Sequence, residues 1–152
     1  MRRRLKQAAI VLVLAFVSAQ FVRPEFANPP TDESRTIEAH MGAGSGLVAV
    51  LNRSCNDCHS NATVWPWYAR IAPVSWLTAY VVSKGRGAVN FSEWARYGQG
   101  RQRMLLMESC RDVRQGKMPG LYTVLHPETR LSARDIETVC SATQQVGPPQ
   151  VE

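Results

Sequence analysis

Five adjacent residues, Cys55-Asn56-Asp57-Cys58-His59, form the most specific chemical pattern in the chain. Two thiols three positions apart share one face of a helix, where both can add to the vinyl groups of a single haem as thioethers. The neighbouring imidazole of His59 can then bind the haem iron. The pattern therefore predicts one covalently bound haem c, attached through Cys55 and Cys58 and ligated by His59.

Two other interpretations of this motif compete with haem attachment. A redox-active cysteine pair is typical of a thioredoxin-like βαβ unit, and no such pattern surrounds Cys55 and Cys58. A zinc ion needs four ligands, so the other cysteines and histidines would have to complete the site. The chain has no second C-x-x-C and no H-x₃₋₅-H pair. The motif, taken with the export segment described below, favours haem.

The sixth iron ligand decides the function, and Met118 is the first candidate for it. Met118 lies in the loop Lys117-Met118-Pro119-Gly120, where Pro119 restricts the backbone and reduces the entropic cost of holding a sulfur against iron. His126, followed by Pro127, is the rival ligand. The weaker candidates lie in a presumed linker or at helical spacing typical of core residues: His40, Met41, Met104 and Met107.

Aromatic and polar side chains are expected to line the haem pocket. Indole N–H groups, phenols and guanidinium groups can all hydrogen bond to a haem propionate. The candidates are Trp65, Trp67, Tyr68, Trp76 and Arg86, with Arg70, Asn90 and Trp94 as further ones. An ordinary core role is the alternative for each of them, and the sequence leaves it open.

Cys110 and Cys140 remain once the motif has used two of the four cysteines. They fall on two separate predicted helices and both face inward. In an oxidising compartment such a pair favours a disulfide, which would close a loop of about 30 residues. Two buried thiols are the alternative.

The N-terminus carries much of the positive charge. The chain has 18 Lys and Arg residues against 12 Asp and Glu, but four of the basic residues lie within residues 1–22. The remainder is close to a net charge of +2, which argues against a nucleic-acid-binding domain. An uncharged apolar run over 8–22 follows the basic residues and predicts an export signal, either cleaved after Ala19 or kept as a membrane anchor. The basic residues would stay in the cytoplasm, which places the domain on the periplasmic side of the inner membrane.

Residues 23–45 are polar and rich in turn-forming residues, so we expect a linker there. The haem domain is expected over 46–145, followed by a flexible tail over 146–152. Within the domain, apolar residues at helical spacing predict one helix running from about Gly46 through the motif and a second from Pro73 to Gly85.

Leu106, Cys110 and Val113 define a third predicted helix, which ends at Gly116. The run Ser132-Ala133-Arg134-Asp135 predicts a capping box at the start of a final helix. No alternating pattern is long enough for a sheet. The expected fold class is therefore all-α: a small cytochrome c-like domain around one haem, after a signal or anchor helix and a linker.

Taken together, these motifs resemble the bacterial haem-binding domain family of small exported proteins with one C-x-x-C-H. The resemblance covers roughly residues 48–140 and rests on Cys55-Asn-Asp-Cys-His-Ser60, Trp65-Pro-Trp-Tyr68, Ile71-Ala-Pro-Val-Ser-Trp76, Gly85-Arg86, Asn90-Phe-Ser-Glu-Trp94, Gly116-Lys-Met-Pro119, Tyr122, His126-Pro127-Glu128 and Leu131-Ser132. The order of haem helix, Met-Pro loop and capped final helix is also similar to small class I cytochromes c. The resemblance implies Cys55 and Cys58 as attachment sites, with His59 and Met118 as axial ligands.

The expected function is one-electron transfer, without enzymatic activity, between redox partner proteins of the periplasm or inner membrane. Filling both axial positions with His and Met lets the iron exchange an electron with little rearrangement. A haem-based sensor or peroxidase-like accessory protein is the alternative, and it requires an open or His-ligated sixth position. A third hypothesis is an accessory subunit of a larger respiratory complex, in which haem stabilises the fold.

Overall fold

The computed structural model describes residues 1–146, and within that range the fold is all-α, with no strand, as the sequence predicts. Residues 147–152 of the expected tail lie outside the described part, whereas Val146 packs into the core. The α-helices are α1 (Arg2–Ala19), α2 (Ile37–Met41), α3 (Gly46–Ser54), α4 (Asn56–His59), α5 (Val74–Ala88), α6 (Gln99–Arg114), α7 (Tyr122–Leu125) and α8 (Ala133–Ser141). Short 3₁₀ turns connect several of them.

The N-terminal helix α1 buries none of its residues. Within residues 1–146, no helix combines the length and the apolar character needed to cross a membrane. The residues just after α1 are nevertheless fixed to the domain. The Gln20 side chain accepts a hydrogen bond from the Ala72 N–H at 3.0 Å and donates one to the Ala72 carbonyl at 3.3 Å. The chain therefore meets the domain at the start of α5.

The segment expected to be a linker contributes to the packed core. Thr36 caps α2 by accepting a hydrogen bond from the Ala39 N–H, which lets a helix of five residues form in a polar stretch. Ile37, the first residue of α2, has none of its surface exposed. Residues 23–45 thus add apolar contacts to the domain that follows.

The core is one cluster of buried side chains from α2, α3, α6, α8 and the 3₁₀ turn Phe91–Arg96, in which α8 packs against both α3 and α6. Its largest fully buried side chains include Trp94 and Leu106, each about 1% exposed. A disulfide between Cys110 on α6 and Cys140 on α8, with the two Cα atoms 4.7 Å apart, confirms the pairing favoured from the sequence. The disulfide joins α6 to α8, and α3, which packs on α8, leads directly into the short helix α4 of the motif.

For the helices that the sequence predicts, the boundaries follow the sequence signals except at two places. The capping box of Ser132 and Asp135 begins α8, and Gly116, with φ of +67°, follows the end of α6, both as predicted. The predicted helix through the motif is instead two helices, because Cys55 adopts φ of −128° between α3 and α4. The predicted stop at Gly85 is also wrong, since α5 continues to Ala88.

Candidate functional site

A cavity of about 590 Å³ opens between α4, α5, α6 and the loop that precedes α7. This volume lies within the usual range for small-molecule and cofactor sites, about 300–1,000 Å³. Its walls are mostly aliphatic and aromatic, with side chains contributed by Leu51, Val81, Phe91, Leu105, Val113 and Val139. The cavity is therefore shaped for a largely apolar group.

Both cysteines of the motif reach this cavity, together with His59. The carbonyl oxygen of Cys55 accepts hydrogen bonds from the N–H groups of Cys58, at 3.1 Å, and His59, at 3.0 Å. This single turn brings Cys55, Cys58 and His59 to one wall of the cavity. The grouping that the sequence predicts is thus present, although the helix restarts at Cys55.

Both thiols are free, and their surroundings keep them protonated. Burial raises the pKa of the Cys55 thiol to about 12, and the nearby Cys58 adds to this effect. The pKa of Cys58 is raised by burial and by the charge of Asp57. A zinc site needs thiolates and further ligands. Across residues 1–146, no cluster of three or more His, Cys, Asp or Glu side chains is placed to hold a metal ion.

The imidazole of His59 is oriented by the backbone that follows α5. Its Nδ1–H donates a hydrogen bond to the carbonyl oxygen of Val89 at 3.2 Å. Because Nδ1 carries the proton, Nε2 keeps its lone pair for a ligand. Burial lowers the pKa of His59, which favours the neutral imidazole that binds metals.

Met118 lines the same cavity as His59. It lies in the loop between α6 and α7, where Lys117 donates its N–H to the Asp112 carbonyl at 2.9 Å. Met118 is 47% exposed, so it belongs to the part of the cavity lining that is open to solvent. The structure thus brings the predicted ligand pair, 59 residues apart in sequence, to one cavity.

His126, the rival ligand, does not line the cavity, and both of its ring nitrogens have other partners. Nε2 shares a hydrogen bond with the Tyr68 hydroxyl at 2.7 Å, and Nδ1 lies 3.0 Å from a carboxylate oxygen of Glu128. The ring stacks on Tyr122 with 4.1 Å between centroids. His126 therefore binds protein groups beside the cavity.

The predicted aromatic and basic pocket does not coincide with the lining of this cavity, which includes none of its five principal members: Trp65, Trp67, Tyr68, Trp76 and Arg86. Three of them instead hold the chain segment that precedes the domain. Trp76 donates its indole N–H to the Val22 carbonyl at 2.7 Å. Trp65 donates to the Asn28 side chain at 3.2 Å, and Arg86 also binds residues 27 and 28.

The remaining members have surface or core roles. Trp67 is 76% exposed and packs edge-on against Tyr68, whose hydroxyl bonds to His126. Trp94 is a core residue, and Asn90 donates a hydrogen bond to the Asn61 side chain at 2.8 Å. Composition alone does not tell on which side of a small domain an aromatic residue lies, and here most of them lie away from the cavity.

Two functional residues escape the sequence reasoning. Tyr122 lines the cavity and donates its hydroxyl to Asp57 at 2.8 Å, which links α7 to the middle of the motif. Burial and the neighbouring Asp57 raise the pKa of Tyr122, so its hydroxyl remains a donor. Gly85 is the second, because its bare Cα allows α5 to approach Cys58. Both residues belong to the stretches that carry the family resemblance, but their spacing from the motif does not indicate these contacts.

The residues present fit a haem. The cavity is apolar and large enough, two protonated thiols and a neutral imidazole face it, and a thioether lies on the same lining. Lys84 and Lys117 also line it and would provide cations for the two propionates.

A comparison with protein families matches residues 14–145 to the haem-binding domain. No curated protein and no solved structure matches the chain significantly.

Proposed function

Because the chain belongs to the haem-binding domain family, which its match over residues 14–145 establishes, we propose that it is a c-type cytochrome that carries single electrons. Haem binding follows from the family. The covalent attachment, the axial ligands and the role in electron transfer are the proposal.

One observation supports this function above all others: Cys55, Cys58, His59 and Met118 line a single cavity. Each thiol would add its sulfur and hydrogen across one vinyl group, a step without net oxidation or reduction. His59, through Nε2, and Met118, through its sulfur, would be the protein ligands that hold the iron. When bound, the haem supplies an iron that alternates between ferrous and ferric states.

The other residues of the cavity exclude water and limit rearrangement. Leu105 and Phe91 are each about 3% exposed, so their side chains form a dry wall. The Val89 carbonyl holds the imidazole of His59 in one orientation. A fixed ligand and an apolar environment both reduce the reorganisation that accompanies electron transfer and influence the potential.

The attachment is tested with the full chain, produced in cells that contain the cytochrome c maturation machinery. We expect an intact mass increased by one haem, and haem absorbance that stays with the denatured chain. Changing both Cys55 and Cys58 to Ser removes this covalent haem, whereas Cys110→Ser combined with Cys140→Ser retains it. A colourless, folded and unmodified wild-type product would overturn the proposal.

The axial ligation is tested separately by Met118→Ala. A wild-type ferric protein with His/Met ligation shows the weak charge-transfer band of sulfur–iron bonding at the red end of the visible spectrum. Met118→Ala abolishes this band. Met104→Ala is a suitable control, because Met104 is 40% exposed on α6 and does not line the cavity. A band that persists in Met118→Ala would exclude Met118 as the ligand.

The proposal also places the protein on the periplasmic side of the inner membrane, with redox proteins as partners. The basic residues before the apolar run support this orientation, and the disulfide between α6 and α8 suits an oxidising compartment. Whether residues 1–19 are removed is read from the same intact mass. Protease treatment of spheroplasts digests an exported domain and spares a cytoplasmic one.

A haem sensor with a displaceable sixth ligand is the second candidate. The position of Met118 in the loop between α6 and α7 favours it, because a ligand carried by a loop is displaced more easily than one carried by a helix. Rapid binding of carbon monoxide or cyanide by the wild-type protein, without the charge-transfer band, would select this function over electron transfer.

A further inference from the structure

Helix α7, which directly follows the Met118 loop, is not held by hydrophobic packing. None of its residues is buried. Its aliphatic side chains point to solvent, with Val124 68% and Leu125 65% exposed, whereas Leu121, just before α7, lines the cavity. Burial of apolar surface is the usual source of helix attachment in a small domain, and it is missing here. Other contacts must therefore keep this part of the chain in place.

Two polar contacts connect the ends of α7 to the body of the domain. At its first residue, the Tyr122 hydroxyl donates to Asp57 Oδ2 at 2.8 Å. Just beyond its last residue, His126 Nε2 hydrogen bonds to the Tyr68 hydroxyl at 2.7 Å. The rings of Tyr122 and His126 stack, with an angle of 14° between their planes. We refer to Tyr122, His126, Asp57 and Tyr68 as the clasp.

Asp57 is a firm attachment point because its other groups are also bonded. Its Oδ1 accepts the Val64 N–H at 3.0 Å, and its carbonyl oxygen accepts the Thr63 hydroxyl at 2.8 Å. Asp57 lies between the two cysteines of the motif, two residues before His59. The Tyr122 bond therefore runs from the segment that carries Met118 to the segment that carries the opposite ligand.

We propose that Tyr122 is a positioning residue, whose hydrogen bond to Asp57 holds the loop of residues 117–121 over the cavity and keeps the Met118 sulfur within reach of the iron. This inference rests on the proposed His/Met ligation. Tyr122 touches no reacting atom in this role. It acts by closing the loop, so its removal raises the fraction of molecules in which the loop is open.

The test compares Tyr122→Phe with wild type in the haem-loaded full chain, using imidazole as the competing ligand for the ferric iron. A hydrogen bond to a charged group typically contributes enough stability to change an open–closed equilibrium about tenfold or more. We expect imidazole to bind Tyr122→Phe about tenfold more tightly. The sulfur–iron charge-transfer band should also disappear at a lower temperature than in wild type.

Tyr80→Phe is the matched control. Tyr80 is 60% exposed, and its hydroxyl has no hydrogen bond partner among residues 1–146. It should bind imidazole as wild type does. Asp57→Ala should reproduce the effect of Tyr122→Phe, and the double variant should show no further increase. Thermal unfolding, recorded in parallel, separates loop opening from a general loss of stability.

The outcomes distinguish a failure of the proposed role of Tyr122 from a failure of the His59/Met118 ligation on which it rests. Suppose that wild type shows the charge-transfer band and that Met118→Ala abolishes it, while Tyr122→Phe binds imidazole as wild type does. The proposed role of Tyr122 is then wrong, and Met118 is still the ligand. If wild type lacks the band and Met118→Ala leaves imidazole binding unchanged, the ligation itself is wrong. If the effects of Tyr122→Phe and Asp57→Ala on imidazole affinity were additive, the proposed role of the Tyr122–Asp57 hydrogen bond would also be wrong.

Discussion

Gly85 on α5 lies so close to Cys58 that a Cβ atom on it would stand 2.3 Å from the Cys58 carbonyl oxygen and 2.9 Å from the carbonyl carbon. The neighbouring atoms belong to the backbone, so no side-chain rotation can relieve such an overlap. This approach sets the distance between α5 and the attachment motif. It also explains why a glycine occurs inside α5, three residues before the helix ends at Ala88.

Gly85→Ala is therefore expected to destabilise the protein by about 3 kcal/mol, the upper part of the range for overpacking, and to reduce the yield of haem-loaded protein. Gly87, two residues further along α5, is the matched control because nothing lies within 4 Å of a Cβ atom there. Gly87→Ala should increase stability by about 0.5–1 kcal/mol, since alanine favours helix. Urea unfolding of both variants measures the difference. Equal stability of the two variants would mean that α5 does not approach Cys58 this closely.

Much of the fold could be predicted because its signals are local. The capping box at Ser132 and the glycine after α6 determine helix ends through neighbouring residues alone. Helical spacing and the expected compartment left a disulfide between α6 and α8 and two buried thiols as alternatives, and the structure contains the disulfide. The break at Cys55 was not predictable, because the apolar spacing of α3 continues across it and tertiary contacts decide where the helix ends.

The site was predictable only where its chemistry lies in adjacent residues or in a distinctive loop. Cys55, Cys58 and His59 lie within five residues, so one helical turn brings them together. Pro119 beside Met118 indicates a restricted loop that can hold a ligand. The bond between Asp57 and Tyr122 spans 65 residues and leaves no pattern in the sequence. The sequence does not tell where the tryptophans lie, because aromatic residues are as useful for fixing a chain segment, as Trp65 and Trp76 do, as for lining a cofactor.

The disulfide between α6 and α8 is expected to be a main source of stability. It closes a loop with a sequence separation of 30, which in the chain-entropy treatment contributes about 3.5 kcal/mol. Changing Cys110 and Cys140 together to Ala should lower the free energy of unfolding by that amount. Adding a reductant should reproduce the loss in the wild-type protein and have no effect on the variant. If reduction destabilises both proteins equally, the effect comes from elsewhere in the chain.

The N-terminus of α8 is expected to become less stable in acid because of Asp135. Hydrogen bonds from the backbone and hydroxyl of Ser132 hold the pKa of Asp135 below its usual value, and Arg53, at 2.8 Å, adds to the effect. Since the folded pKa is the lower one, this stabilisation is complete above the unfolded pKa of about 3.9 and is lost as the pH falls through the folded pKa.

Asp135→Asn should therefore cost about 1 kcal/mol at neutral pH, as the loss of a cap does, and should flatten the acid end of the stability profile. Glu137→Gln, on the same helix, is the control, because Glu137 is exposed and has no hydrogen bond partner within residues 1–146. Denaturant unfolding between pH 2 and pH 7 provides the comparison. Parallel profiles for Asp135→Asn and wild type would contradict the assignment.

Arg86 connects the N-terminal segment to the residues that flank the motif. Its guanidinium donates to the Ser60 carbonyl at 2.8 Å and to the Thr63 hydroxyl at 2.8 Å on one side. On the other side it donates to the Ala27 carbonyl and to the Asn28 side chain, each at 2.9 Å. The planar guanidinium has five N–H donors and can bond to all four oxygens at once. The ammonium group of a lysine has only three donors on one nitrogen, so it cannot reach all four.

Arg86→Ala should cost about 3 kcal/mol, because four oxygens lose a charged donor, and Arg86→Lys should restore little of that loss. The amides of residues 25–31 should exchange with solvent much faster in both variants, while those of α8 exchange as in wild type. Arg70→Ala is the control, since Arg70 is exposed and has no hydrogen bond partner in the part of the chain that the structure describes. Mass-spectrometric hydrogen exchange on the full chain measures this. Unchanged exchange over residues 25–31 in Arg86→Ala would show that other contacts, such as the Trp65 bond to Asn28, hold the segment without the arginine.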